Sequence, residues 1–459
     1  MPGPRLRAIF SRLLSEYGMV LVLLLLCTYY SVATIADQHP EGESGGTALA
    51  RELTTRLQPG ARVLIVAGEG QLEADFADSA AGHLTDAGLD VVASAKGRPL
   101  DARRALQQVA DHQGKLDAIA ASPTAASWSV LEGIDRRFTA LGDVPVYSPQ
   151  NHRWPTFLTA DNLLNIANQI AIIAILAIGM TLIIITGGID LSVGSLIALS
   201  AVTATLLIRD LADAENATPA AMILCGAAAV GVCGIVGLFS GFLVATFSVP
   251  SFIVTLSVML MTRGLARTMA EDQSIYQVPD SFVWLGRGAN LGTVPNAVVL
   301  MGLLYLGGHV LMSRMALGRY IYAVGGNAQA ARLSGVRVER ILLFVYCFSG
   351  LLAGLGGVIM ASQLKSGSPT YGLMYEMYVI AAVVVGGTSL SGGQGKVFGT
   401  LIGALIIAVI QNGMNLTGVG SRAQLIVFGA VILGAVLFNE LKKRGASALV
   451  RLFAARKVP

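Results

Sequence analysis

Thr186–Gly187–Gly188–Ile189–Asp190–Leu191–Ser192–Val193–Gly194–Ser195 (TGGIDLSVGS) stands between two long apolar runs, at about 163–186 and 191–208. Three glycines and one carboxylate interrupt what would otherwise be continuous hydrophobic sequence. A bilayer core takes about 20 apolar residues per helix, so the two runs read as membrane spans and the decapeptide as the break between them. Broken backbone at membrane depth is tolerated only where protein or a water-filled cavity satisfies the freed polar groups. An ionisable residue there is a functional candidate. Asp190 therefore has two readings: it caps the following helix, or it contacts substrate or acts in gating. Ser192 and Ser195 carry the same two readings.

Outward from this stretch the chain is built for lipid. Hydrophobic residues make up 54% of it and charged residues 13%, against roughly 25% charged in soluble domains. Ten apolar spans are expected: one near 17–36, then 163–186, 191–208, 219–247, 250–270, 294–312, 341–363, 375–390, 397–414 and 423–438. Several are short or glycine-interrupted, and one pair could be re-entrant. With the N-terminus inside, fifteen Lys and Arg residues fall on the inner side and six in the short outer loops. The positive-inside rule supports that orientation, with both termini cytoplasmic. The first span follows Arg5, Arg7 and Arg12 and could be mistaken for a cleaved signal peptide ending near Ala33–Thr34–Ile35–Ala36. Its length favours an uncleaved anchor.

Residues 37–155 break the pattern. Short apolar runs at Arg62–Ala67, Asp90–Ser94, Asp117–Ser122 and Val144–Tyr147 alternate with helical stretches at Gln71–Ala87 and Asp101–Gln113. That order predicts a parallel α/β sheet with right-handed crossovers. The expected architecture is a polytopic all-α membrane protein with an inserted, Rossmann-like α/β domain outside the cytoplasm. Its parts are an N-tail and first helix (1–36), the α/β domain (37–155), the membrane domain (156–440) and a basic cytoplasmic tail (441–459).

Leu390–Ser391–Gly392–Gly393–Gln394 spells LSGGQ, the signature string of ABC-type ATPases. An ATPase also needs a phosphate-cradling G-x-x-x-x-G-K-[ST] loop. Around Gly395–Lys396 the first glycine is Leu390 and the final hydroxyl is Val397. The string is read as a glycine-rich turn between membrane helices, and the chain is not expected to hydrolyse ATP. The cysteines Cys27, Cys225, Cys233 and Cys347 lie in apolar runs, and the five histidines do not cluster. No metal site is expected. Asn168, Gln411, Asn412 and Asn415 interrupt apolar spans and read either as inter-helix hydrogen-bonding groups or as lining of a translocation path. The row Gly231, Gly234, Gly237, Gly241 marks a close helix crossing.

TGGIDLSVGSLIALSAV (186–202), LGRYIYAVGGNAQAARLSGVRVERI (317–341) and VVVGGTSLSGGQGKVFGTLIGALIIAVIQNGMNLTGV (383–419) together resemble the permease subunits of ribose-type ABC importers. The resemblance covers about 155–440 in order. It implies alternating access driven by separate cytoplasmic ABC ATPase subunits, which use the ATP; no cofactor is expected on this chain. It also implies a sugar-binding protein as donor, a second permease copy, and the bacterial inner membrane. In the family, the loop holding Gly325, Gly326, Asn327, Gln329, Ala330, Ala331, Arg332 and Gly335 forms a helix that docks on the ATPase. The E-A-A-x-x-x-G pattern is kept at Gln329–Ala330–Ala331…Gly335 except that glutamine replaces glutamate. Residues 62–147 resemble one lobe of the sugar-binding proteins, a departure from family permeases. A single lobe offers half a cleft, so the expected role is docking of the binding protein, ahead of pairing with a second copy or acting as a spacer. A membrane-anchored sugar sensor and an ion-coupled secondary transporter are the rival readings.

Overall fold

The computed structural model describes residues 4–38, 40–112, 115–150 and 152–444. The basic tail from residue 445 onward, with Arg451, Arg456 and Lys457, lies outside the described residues. The chain divides into two compact units, 1–34 with 157–459, and 35–156.

Helix α1 (Pro4–Ala33) begins upstream of the apolar run, so Arg5, Arg7 and Arg12 lie within it. The second unit opens with strand β1 (Ile35–Gln38), α2 (Gly42–Arg56), β2 (Arg62–Ala67), α3 (Gln71–Asp86) and β3 (Asp90–Lys96). It continues with α4 (Pro99–Asp111), β4 (Ala118–Ala121), the short helical turns α5 (Pro123–Ala126) and α6 (Ile134–Arg137), β5 (Val146–Tyr147) and β6 (His152–Pro155). Four strands form a parallel sheet in the order β3-β2-β4-β5. Strand alternation divides the core in two. Leu64, Val66, Ile119 and Ala121 face the layer of Leu106 and Val109 from α4, while Val63, Ile65, Ala118 and Ala120 face Leu53 of α2 with Phe76 and Leu84 of α3. β1 and β6 form a separate antiparallel ribbon, Ile35 opposite Pro155, so the unit's two chain ends lie side by side.

The first unit continues with α7 (Ala160–Ile185), α8 (Val193–Leu211), α9 (Pro219–Phe247), α10 (Ser251–Met269), α11 (Trp284–Arg287) and α12 (Asn296–Arg314). Then come α13 (Ala316–Gly326), α14 (Ala328–Leu333), α15 (Val338–Leu364), α16 (Tyr375–Val385), α17 (Val397–Leu416) and α18 (Ser421–Arg444). Among the described residues seven helices are long and apolar enough to cross a membrane: α7, α8, α9, α10, α12, α15 and α17. Three further apolar stretches are shorter, Gly18–Ala33, Tyr375–Val385 and Ser421–Gly434, so the expected ten full spans reduce to seven plus three. The clearest departure is 375–390. Gly386 and Gly387 end α16 after 11 residues, about 16 Å of rise, half of a roughly 30 Å hydrocarbon core.

α7 is the central helix, buried along most of its length, while α15 packs over α7, α8 and α9. The α9–α15 crossing is close because small residues face backbone. A Cβ at Gly237 would lie 2.3 Å from the Tyr346 carbonyl oxygen, and one at Gly350 2.3 Å from that of Cys233. α1 belongs to this unit: buried Tyr30 fills the notch at Gly413 of α17 and stacks on Phe157. The Phe157 N–H donates to Thr34 Oγ1 at 3.1 Å.

Candidate functional site

The break after α7 turns back into the helix bundle. Gly187, at φ +83°, and Gly188 close the helix with N–H bonds to the Ile184 and Ile183 carbonyls. The chain then passes beneath α15, where Asp190 is 1% exposed. Its Oδ1 accepts from the Ser192 N–H at 2.9 Å and Ser192 Oγ at 2.6 Å, and its Oδ2 accepts from Ser349 Oγ at 3.4 Å. Ser349 lies near the middle of α15 and against Gly179 of α7, so the break runs at membrane depth.

Hydroxyls of α10 satisfy its backbone. Ile189 N–H donates to Ser251 Oγ at 3.0 Å, Leu191 N–H donates to Thr255 Oγ1 at 3.1 Å, and Thr255 Oγ1 donates to the Ile189 carbonyl at 3.2 Å. Ser195 Oγ bonds the Ser192 carbonyl at 2.7 Å and meets Thr262 Oγ1 at 2.6 Å. Asp190 thus closes a turn on Ser192, the residue that precedes α8 and makes no side-chain cap bond to it, and the enclosure of this turn by protein meets the requirement that backbone freed in lipid be satisfied internally.

A second break follows α15. Lys365, Gly372 and Met374 adopt positive φ. Gly367 pairs with Ile275 through two N–H to carbonyl bonds of 2.8 and 2.9 Å. The segment then runs along α8, with Gly367 against Ala201 and Thr205 and Gly372 against Gly194 and Ile197. A Cβ at Gly372 would lie 2.3 Å from the Gly194 carbonyl oxygen. The two breaks therefore meet at Gly194–Gly372. Arg263 Nη1 donates to the carbonyls of Pro369 at 2.9 Å and Tyr371 at 2.7 Å. The Glu376 carboxylate lies against Gly194, where an added Cβ would stand 2.2 Å from Oε2.

Neither charged residue was singled out from sequence. Arg263 counts there as an outer-loop cation, whereas it sits within α10. Asp190 reads as almost alone among carboxylates in the apolar runs, yet Glu376 is the only Asp or Glu between Glu339 and Glu440. That isolation was the available signal.

The candidates of the 325–335 loop form a compact motif. Asn327 Oδ1 accepts from the Ala330 N–H at 2.9 Å and caps α14, and Gly335, at φ +85°, ends the turn beyond it. Ala331 is buried and seats the helix, while Gln329 and Ala330 face outward and Leu333 is 91% exposed. Arg332 pairs with Glu339 of α15. Gly325 and Gly326 end α13 beside the 390–394 turn. The Gly393 N–H donates to the Ile185 carbonyl at 2.8 Å, and Tyr322 Oη donates to the Gly395 carbonyl at 2.7 Å.

The amide candidates separate. Asn412 on α17 and Asn162 on α7 exchange two amide bonds of 2.8 and 3.1 Å. Asn168 Nδ2 donates to the Gly286 carbonyl of α11, and Gln363 of α15 donates to the Asn168 carbonyl and side chain. Asn415 accepts from Gln424 of α18. Gln411 is half-buried on α17. These residues do not converge with Asp190, Ser192 and Ser195.

Residues 162–436 match the family described as branched-chain amino acid transport system / permease component. The ribose import permease protein RbsC of Escherichia coli (strain K12) is 46% identical over 293 residues, 63% of this chain and 88% of that protein. RbsC of Bacillus subtilis (strain 168) is 42% identical over 290 residues, 63% of this chain and 87% of that protein. The xylose transport system permease protein XylH of E. coli (strain K12) is 34% identical over 387 residues, 71% of this chain and 97% of that protein. No solved structure matches.

Proposed function

The chain belongs to the branched-chain amino acid transport system / permease component family, and we propose that it is the permease subunit of an ATP-driven importer of a monosaccharide of the ribose type. The observation that carries this reading is the 46% identity to a ribose import permease over 88% of that protein. The chain itself hydrolyses no ATP. Separate ATPase subunits bind at Gln329–Gly335, a second permease copy completes the pathway, and a sugar-binding protein delivers the substrate. The assembly sits in the bacterial inner membrane with both termini cytoplasmic and 35–156 outside.

Contacts at the start of the coupling loop support alternating access. α14 is joined through Gly325 to the end of α7, so movement at an ATPase surface reaches the first break through close-packed backbone. The outer α/β unit, with its lobe-like parallel sheet, serves as a docking surface for the binding protein.

The experiment is reconstitution with the cognate ATPase and binding protein in vesicles, followed by uptake of labelled ribose and labelled leucine. Ribose uptake that requires both partners and ATP is the expected result. The family's description as a branched-chain amino acid permease component favours branched-chain amino acids as the second reading. Uptake of leucine without ribose, or ATP hydrolysis by the purified chain alone, refutes the proposal.

A further inference from the structure

We propose that Arg263 and Glu376 line the water-filled route of the sugar at membrane depth and exchange hydrogen bonds with its hydroxyls as it passes. This deepens the transport reading and rests on it.

Four observations carry the assignment. The first is position. Glu376 lies on the first turn of α16 against Gly194, the second residue of α8, and Arg263 is an interior residue of α10. Both belong to the region where the two breaks meet. Charged side chains at such depth face a bundle interior or a hydrated cavity rather than lipid.

The second is exposure. Asp190 is sealed, but Arg263 and Glu376 are only half-buried, and the same break leaves Leu373, Met374 and Met377 open. Irregular backbone is not stable against hydrocarbon, so whatever covers Lys365–Met374 on its open side is protein or water.

The third is bonding capacity. Arg263 Nη1 is occupied by the Pro369 and Tyr371 carbonyls, but a guanidinium has five donors in all. Glu376 forms no salt bridge with Arg263 within 4 Å among the described residues. The carboxylate thus retains acceptor capacity.

The fourth is the composition of α10. It has the lowest mean hydropathy of the seven spans, 1.2. Its Ser251, Thr255 and Thr262 serve the first break, and exposed Ser257 adds a hydroxyl on an outward side. A neutral polyol can be matched by an acceptor carboxylate beside a donor guanidinium. Arg263 is bonded to the second break, and Glu376 lies against Gly194 at the end of the first.

The test uses the reconstituted complex with its ATPase and binding protein. Glu376→Cys is treated with a charged, membrane-impermeant thiosulfonate, with Leu303→Cys on the outward side of α12 as the lipid-facing comparison. The parent chain gives the background from Cys27, Cys225, Cys233 and Cys347. Labelling at 376 about tenfold faster than at 303 is expected, because the thiolate that reacts needs water, and ribose turnover should slow it. Glu376→Gln is expected to lower ribose uptake about tenfold, the loss of one charge-assisted bond. Arg263→Lys, which keeps charge but loses the fork, should also lower it.

Labelling at 376 no faster than at 303, or parental uptake by Glu376→Gln, overturns the proposal. If Glu376→Gln fails to retain the ATPase, the labelling comparison alone decides. If the parent imports no ribose but position 376 is labelled rapidly, the sugar assignment falls and the hydrated route stands.

Discussion

The backbone N–H of Gly393 donates to the Ile185 carbonyl at 2.8 Å, and Gly325 packs onto that same oxygen. Three parts of the chain far apart in sequence are thereby held at one atom: the end of the most buried helix, the residue pair preceding α14, and the turn that spells LSGGQ. The string has a structural job. Positive φ at Gly392 and Gly393 lets the turn fold tightly enough for its N–H to reach the end of α7.

A substitution at Gly325 tests that junction. A Cβ there would stand 1.7 Å from the Ile185 carbonyl oxygen and 2.7 Å from the Gly393 nitrogen, both backbone atoms. Gly325→Ala should therefore destabilise by about 1–3 kcal/mol and weaken the link between ATP hydrolysis and uptake. At Gly326 nothing lies within 4 Å of the equivalent position, so Gly326→Ala should behave like the parent. Thermal melting in detergent, with uptake per ATP hydrolysed, measures both.

The exposed side of α14 should be the ATPase contact. Leu333 is 91% exposed beside Gln329, and a large apolar residue on a short, capped helix suits a partner groove. Leu333→Asp is expected to leave melting of the isolated permease unchanged and to abolish co-purification of the ATPase subunit. Gln329→Glu should retain assembly, since the shape of the helix is kept. Undiminished ATPase capture by Leu333→Asp would place the docking surface elsewhere.

Asn162 and Asn412 offer a clean decision between helix contact and pathway. Their two reciprocal amide bonds join α7 to α17, so Asn162→Ala and Asn412→Ala should each cost stability. A double-mutant cycle should return a coupling of about 0.6 kcal/mol, the average for such bonds in membranes, while ribose uptake per folded molecule is unchanged. Loss of uptake in Asn412→Ala without loss of stability would put the amide in the path instead.

Long apolar runs were legible from sequence because a membrane helix carries its own signal. The span at 219–247 coincides with α9, and the four short apolar runs of the polar segment overlap β2, β3, β4 and β5. The second break was not legible. Ser366–Gly367–Ser368–Pro369–Thr370 reads as an outer loop, and only the packing of Gly367 on Ala201 and Thr205, with Gly372 beyond it on Gly194, shows that the segment runs along the membrane helix α8. For the same reason the sequence does not mark Arg263 and Glu376: one counts as an outer-loop cation although it lies within α10, and the other stands at the start of a helix whose shortness is invisible in hydropathy. Asp190 was found because its glycines flank it in sequence. What its carboxylate bonds, Ser192 and Ser349, and how fully protein encloses it come only from packing.

The 35–156 unit should be removable. Ile35 stands opposite Pro155 in the β1–β6 ribbon, and within the membrane unit Phe157 N–H bonds Thr34 Oγ1. The chain thus leaves and re-enters at neighbouring points, and an excision of 36–154 closed by a short Gly/Ser linker spans little distance. Tyr30 remains on Gly413 in that variant, because α1 is retained, so the membrane unit should purify with a melting temperature close to the parent's and still capture the ATPase. Uptake driven by the binding protein should fall steeply, while ATP hydrolysis in the absence of binding protein persists. Parental uptake after excision would reduce the unit to a spacer. Collapse of the membrane unit itself would instead mean that the two units, though separately compact, depend on one another to fold.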